Sequence, residues 1–169
     1  MTNNVKIRAV VVTVSDTRIE AEDVSGTTLV GLLLQMEAEI VDKIIVSDDF
    51  EDLRQTLYAL TERDDVNLIV TTGGTGFSER DNTPEATRAI IEKEAQGLAE
   101  AMRSESLKTT STAMLSRGVC GIRSQTLIIN LPGSPKGVRE CFGVIKLILP
   151  HAINIISGNT KHHEPTLSN

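Results

Sequence analysis

Apolar and polar positions switch between two periods along the first half of the chain. Residues 5–14 (VKIRAVVVTV) are almost continuously apolar and β-branched, a pattern that suits a strand buried on both faces of a parallel sheet. Ser15-Asp16-Thr17 interrupts it with three residues that favour turns and helix caps. Leu29, Leu32, Leu33 and Met36 then recur at helical spacing and predict a helix over about residues 26–38. A second strand is expected at 40–46 (IVDKIIV), ended by Ser47-Asp48-Asp49. Leu53, Leu57 and Leu60 mark the next helix, and residues 67–72 (NLIVTT) the third strand. Strands alternating with helices at short spacing predict an α/β layered fold with parallel strands and right-handed crossovers.

The second half departs from that rhythm. Gly73-Gly74-Thr75-Gly76 follows the third strand. Thr83 is expected to cap a helix with Pro84 at its first position, and Gly97 to end or bend it. Residues 98–103 suggest a second short helix, and the Ser/Thr-rich stretch 104–116 has no readable period. Residues 119–122 and 126–131 flank Arg123-Ser124-Gln125 as a hairpin, which makes the sheet mixed. Ser134 is expected to cap, and Pro135 to open, a long last helix striped by Val138, Phe142, Ile145, Leu149, Ala152 and Ile156. Pro150 lies inside that stripe and should kink or end it. Residues 157–169 read as a loose polar tail. No repeat or linker divides the chain, so a single domain over 1–169 is expected.

Composition narrows the class of partner. The 169 residues hold 17 Lys+Arg against 23 Asp+Glu, a net charge of −6. An acidic chain with three Phe, one Tyr and no Trp has neither the basic face nor the stacking platform of a nucleic-acid binder. No run reaches the ~20 apolar residues of a membrane span, and the start reads as a strand, not a signal peptide. Cys120 and Cys141 lack CxxC spacing and read as buried thiols in a reducing compartment. These features together suggest the cytoplasm.

Ligands of open α/β sheets bind at the carboxyl ends of the strands, near a switch in strand order. Four polar segments follow expected strands here: 15–17, 47–49, 72–81 and 130–137. Parallel strands would gather all four on one rim. The glycines of Gly73–Gly76 permit φ > 0 and close approach of an anion to backbone N–H groups, or simply a tight turn without a ligand. The segment is neither GxGxxG nor a P-loop. Asp48 and Asp81 each have two readings, a helix cap or a ligand of Mg2+, which takes one or two carboxylates and completes its shell with water and phosphate oxygens. Ser134 and Lys136 can cap a helix or hold a phosphate. His151, His162 and His163 form no catalytic set, and without a GxSxG or HExxH motif acyl transfer and zinc hydrolysis lack support.

Six segments together resemble the MogA/MoaB family of molybdenum-cofactor biosynthesis proteins, related to the plant Cnx and animal gephyrin G domains. They are VVTVSDTR (11–18), EDVSG (22–26), VSDD (46–49), TTGGTGFSERDNTPEA (71–86), SRGVCGI (116–122) and INLPGSPKGVRE (129–140), in order over almost the whole chain. The resemblance implies a three-layer α/β/α domain that forms trimers, or hexamers built from trimers. It implies molybdopterin adenylyltransferase activity: ATP and molybdopterin give adenylyl-molybdopterin and pyrophosphate with Mg2+, and a metal-inserting enzyme then supplies molybdate or tungstate. The family's two essential acids match Asp48 and Asp81. Its nucleotide and pterin pocket matches Gly73, Gly74, Thr75 and Gly76 with Asn130, Pro132, Gly133, Ser134 and Lys136, and its edge matches Ser15 and Asp16. Some MoaB-type members lack one or both acids and are not functional adenylyltransferases, which leaves a pterin-binding or scaffold role without catalysis as the alternative. This chain has the short MoaB-like ending, yet it keeps both acids and the Ser-Pro-Lys of the active type. A third candidate, a nucleotide pyrophosphatase of the competence/damage-inducible type, would need a longer chain with a second domain.

Overall fold

A computed structural model describes residues 5–159 of the chain. Six strands form one mixed sheet among the described residues: β1 (Arg8–Val14), β2 (Glu39–Val46), β3 (Leu68–Thr72), β4 (Lys93–Glu94), β5 (Cys120–Arg123) and β6 (Thr126–Leu131). Their order across the sheet is β2-β1-β3-β6-β5-β4. Strands β1, β2, β3 and β6 run parallel, while β5 is antiparallel to both of its neighbours. The chain moves outward from β1 to β2 and then returns to the far side of β1 as β3. The strand order therefore reverses at β1 and β3.

The sheet lies between two helical layers, and side-chain alternation accounts for this. Val10, Val12, Val14, Ile69 and Ile128 pack on one face with α2 (Phe50–Thr61) and α3 (Thr83–Arg88), through Leu53, Leu57, Leu60 and Ala86. Ala9, Val11, Val70, Ile129 and Leu131 pack on the other. There they meet α1 (Val24–Leu34), α4 (Gln96–Leu107), α5 (Pro135–Ile145) and α6 (Leu149–Ile156), through Leu29, Met102, Phe142 and Ile153 among others. Both faces of β1 are buried, which is why its sequence is nearly continuous Val instead of alternating. The three-layer α/β/α expectation is met.

Three local expectations need correction. Thr83 begins α3 but does not cap it; its hydroxyl donates to Gly73 O at 2.9 Å, and the N-cap Asn82 makes no capping bond. That helix ends at Arg88, well before Gly97, because Glu92 and Ala95 turn into edge pairing with β5. Gly97 instead lies in the first turn of α4, which runs on to Leu107 and absorbs the short helix expected at 98–103. The long last helix is interrupted near Pro150, as expected: α5 ends at Ile145, and Pro150, which has no N–H to continue the ladder, sits in the first turn of α6. The stretch 104–116 finishes α4 and then forms a 3-10 turn at Ser111–Leu115. The hairpin expectation holds, with Ser124 at φ +51 in its turn. Residues 160–169 of the expected tail, with His162 and His163, lie outside the described residues. Among the described residues no helix is long and apolar enough to cross a membrane.

Candidate active site

All four parallel strands point their carboxyl ends the same way, so their four following segments share one rim. Gly73 (φ +102) and Gly74 (φ +64) adopt the left-handed conformation. A Cβ on Gly73 would lie 2.6 Å from Val14 O, so no side chain fits between this turn and the end of β1. Gly73 N–H donates to Leu131 O at 3.2 Å, and the Thr72 hydroxyl donates to Pro132 O at 2.7 Å. A Cβ on Gly133 would lie 3.3 Å from the Gly73 Cα. Two turns that stand 60 residues apart in sequence are therefore in van der Waals contact.

Neither Asp48 nor Asp81 caps a helix. Asp49, not Asp48, caps α2 by accepting from the N–H groups of Glu51 and Asp52. Asp81 Oδ2 accepts from the loop N–H of Ser78 at 2.9 Å. Asp16 and Asp48 exchange two bonds, each N–H donating to the other's carboxylate at 3.0 Å. The Asn82 amide donates to Asp48 O at 3.0 Å and brings the Asp81 loop onto the end of β2. Burial, and then the charge of Asp81, pushes the Asp48 carboxyl above its ordinary value. A carboxylate whose ionisation is opposed by the charge of a second one beside it makes a natural seat for a cation. The only cation paired with this group among the described residues is Arg80, on Asp16. No cluster of three or more His, Cys, Asp or Glu suited to a metal occurs among the described residues.

Beside the acids opens a cleft of about 460 Å³. Thr75, Gly76, Asn130, Pro132, Ser134 and Lys136 line one side, and Ala99, Met102 and Cys141 from α4 and α5 give it an apolar floor. Gly76 joins the cleft to the acids, for a Cβ there would stand 2.9 Å from Asp81 Oδ2. Ser134 caps α5 by accepting from Gly137 N–H at 3.1 Å. Lys136 is exposed, with Glu140 3.8 Å away. Asn130 borders the cleft but spends its amide inside the fold: it donates to the Thr71 and Thr87 hydroxyls and accepts from Val119 N–H. The Ser15 hydroxyl accepts from the N–H groups of Thr17 and Arg18, shaping the turn after β1. Cys120 and Cys141 are free and buried, as expected, and burial pushes the Cys120 thiol up to about 12.

Several site residues escape a reading of the sequence. Thr110, Thr112 and Ser116 form the outer wall of the cleft. Their signal is hydroxyl density without periodicity, which marks a polar wall as well as it marks a loop. Arg18 links the β1 turn to the opposite loop by donating to Ser25 Oγ at 2.6 Å and Gly133 O at 3.2 Å. Arg117 grips the Gly76–Glu85 loop. Both arginines act on main-chain oxygens, which no sequence motif advertises.

A doubly wound α/β domain with a glycine turn, two neighbouring acids and a cleft at the carboxyl ends of its strands defines the class of the fold. This chain belongs to the family described as the probable molybdopterin binding domain, which matches residues 10–151. It is 40% identical to molybdopterin adenylyltransferase of Helicobacter pylori J99 over 140 residues, 82% of this chain and 80% of that protein. It is 46% identical over 149 residues to the molybdenum cofactor synthesis protein cinnamon of Drosophila melanogaster, covering 86% of this chain and a quarter of that longer protein. The crystal structure of the molybdopterin biosynthesis enzyme MoaB from Thermus thermophilus superposes with a TM-score of 0.83 at 41% identity, over 90% of this chain and 97% of that one.

Proposed function

We propose that this chain transfers AMP from ATP to the terminal phosphate of molybdopterin in molybdenum cofactor biosynthesis. The observation that carries the reading is the pairing of Asp48 with Asp81 beside the Gly73–Gly76 turn, neither acid being used as a helix cap. The names of its relatives support it.

A phosphate monoester is largely ionised at neutral pH, its second pKa being ≈ 6, so the attacking oxygen needs no strong base. That oxygen bonds to the α-phosphorus of ATP, the bond to the bridging oxygen breaks, and pyrophosphate leaves with the electron pair. The obstacle is the approach of two anions, so positioning and charge neutralisation are the work required. The Gly73–Gly76 turn and the first turn of α5 would receive phosphate oxygens on backbone N–H groups, with Lys136 adding a point charge. The apolar floor of Ala99, Met102 and Cys141 would take the flat face of a ring. Asp48 and Asp81 fit Mg2+, because each carboxylate has one oxygen held by a backbone N–H and their mutual repulsion is unrelieved. Bound there, Mg2+ would neutralise triphosphate charge and polarise the α-phosphorus.

The deciding assay combines the purified chain with ATP, molybdopterin and Mg2+ and follows pyrophosphate release. Asp48→Asn and Asp81→Ala are expected to keep molybdopterin affinity within about twofold by calorimetry while losing about 100-fold or more in turnover. Parallel loss of binding and turnover would remove the metal role. Pterin binding by the wild-type chain without pyrophosphate release would make it a non-catalytic binding or scaffold protein. The same reading carries cytoplasmic residence, a metal-inserting enzyme as the next partner, and a trimer or a hexamer built from trimers. Exposed Met114 and Leu147, at 65% and 82%, support association through apolar surface.

A further inference from the structure

Arg117 makes four contacts with one stretch of chain, from the turn after β3 to the first turn of α3. Its own N–H donates to Thr75 O at 2.9 Å. Its Nε donates to Gly76 O at 2.7 Å, and its Nη2 to Asp81 O at 2.7 Å. Its Nη1 pairs with the Glu85 carboxylate at the start of α3. A single planar guanidinium thus spans the glycine turn, the acid and the helix that follows. No other described side chain donates to Gly76 O or Asp81 O.

The loop between these anchors is tied elsewhere by Arg80, which pairs with Asp16, and by the Asn82 amide, which donates to Asp48 O at 3.0 Å. Residues Phe77, Ser78, Glu79 and Arg80 are exposed. Asp81 holds its own loop through Ser78 N–H, but that bond fixes the loop's shape and not its position over the cleft. Arg117 fixes the Gly76 and Asp81 main chain, while Arg80 and Asn82 tie the same loop to the turns after β1 and β2. Arg117 comes from the far side of the cleft, from the segment between the Ser111–Leu115 turn and β5. The Glu85 Oε2 atom is buried without a hydrogen-bond partner among the described residues, although its other oxygen holds Arg117. The fold leaves that acceptor unpaired while keeping the guanidinium aligned on the two carbonyls.

We propose that Arg117 is a positioning residue for adenylyl transfer: it sets the Asp81 carboxylate opposite Asp48 by fixing the Gly76 and Asp81 carbonyls with one rigid fork. This deepens the functional reading above and rests on it. Lysine cannot replace the fork, since one ammonium cannot hold both carbonyls and the Glu85 carboxylate in a fixed planar geometry. Arg117 holds the Asp81 main chain and not its carboxylate, and loss of an outer-shell partner of a metal site typically costs about 10–100-fold in metal affinity.

The experiment uses the full chain with Arg117→Lys and Arg117→Ala, and reads four quantities. Mn2+ affinity in the presence of a non-hydrolysable ATP analogue is expected to fall about 10–100-fold in both variants. Molybdopterin affinity is expected to stay within about twofold. Amide exchange over residues 76–82 should speed up while the strands keep their protection. Added guanidinium ion should restore part of the turnover lost by Arg117→Ala, and none of that lost by Asp81→Ala. Unchanged Mn2+ affinity in a variant with a loosened loop overturns the proposal. So does equal loss of molybdopterin binding, or an Arg117→Lys variant that matches the wild type. If Arg117→Ala fails to fold, Arg117→Lys alone decides by the same affinities. A wild-type chain without Mg2+-dependent adenylylation sinks the functional reading and the proposal together; an active wild type with indifferent variants sinks the proposal alone.

Discussion

Two shielded carboxylates of this chain have opposite fates, and their neighbours account for the difference. The Asp23 side chain has no exposed surface, and burial alone would push its carboxyl up. Hydrogen bonds from Lys43 at 2.9 Å, Gly26 N–H and the Thr13 hydroxyl, with the Lys43 charge, outweigh burial and hold it below its ordinary value. Asp48 has no such cation, so burial and the charge of Asp81 leave it raised. A folded-state value above the unfolded one means that folding disfavours the ionised form. The penalty is absent below the unfolded value and complete once pH has risen through the folded one. Asp48→Asn removes it and keeps an oxygen for the Asp16 N–H. The metal-free variant is expected to melt about 1–3 °C above the metal-free wild type near pH 7, and the gap should close near pH 3. Differential scanning calorimetry in chelator checks this, and a variant that melts lower at neutral pH would deny the repulsion. Mg2+ should reverse the order by raising the wild type more. A site acid that weakens the empty fold is the usual sign of structure spent on function.

At the scale of elements, the turn after β3 owes its shape to contacts from β1, β6 and α3. Gly73 is pressed on Val14 O, Gly133 lies against Gly73, and Thr83 ties α3 to the turn through both its hydroxyl and its N–H. Gly73→Ala is expected to cost about 2–4 kcal/mol, from a positive φ plus a Cβ overlap with main chain. Urea unfolding measures it, and a loss within ~0.5 kcal/mol would show that the turn can relax. The elements themselves are legible wherever one period dominates. The Val run of β1 and the Leu53, Leu57, Leu60 stripe of α2 mark their elements to within three residues of the observed ends. Thr83 misleads because a Thr before Pro has the local signature of a cap, and only the arrival of Gly73 from another strand claims its hydroxyl. Gly97 misleads as a stop because the true stop is edge pairing at Glu92 and Ala95, which leaves no local mark.

At the scale of the molecule, the parallel arrangement of β1, β2, β3 and β6 converts four separate polar segments into one rim. Apolar side chains also remain outside the described core, Leu147 on the α5–α6 connection and Met114 on the cleft's outer wall among them. Light scattering on the chain is expected to give the mass of three or six copies; a monomer at micromolar concentration would refute the assembly. The sequence by itself determined the layers, the parallel half of the sheet, the hairpin and the two acids with their glycine turn. Hydrophobic period and turn chemistry are local properties, and residues within a few positions of each other suffice to read them. Only the tertiary structure decided that Asp49 takes the cap and frees Asp48, that Asn130 spends its amide inside the fold, and that the hydroxyl-rich stretch walls the cleft. It also decided the grip of Arg18 and Arg117 on distant carbonyls. Such contacts join main-chain oxygens to side chains tens of residues away, and a main-chain oxygen is the same in every residue, so the linear pattern carries no trace of which ones will meet.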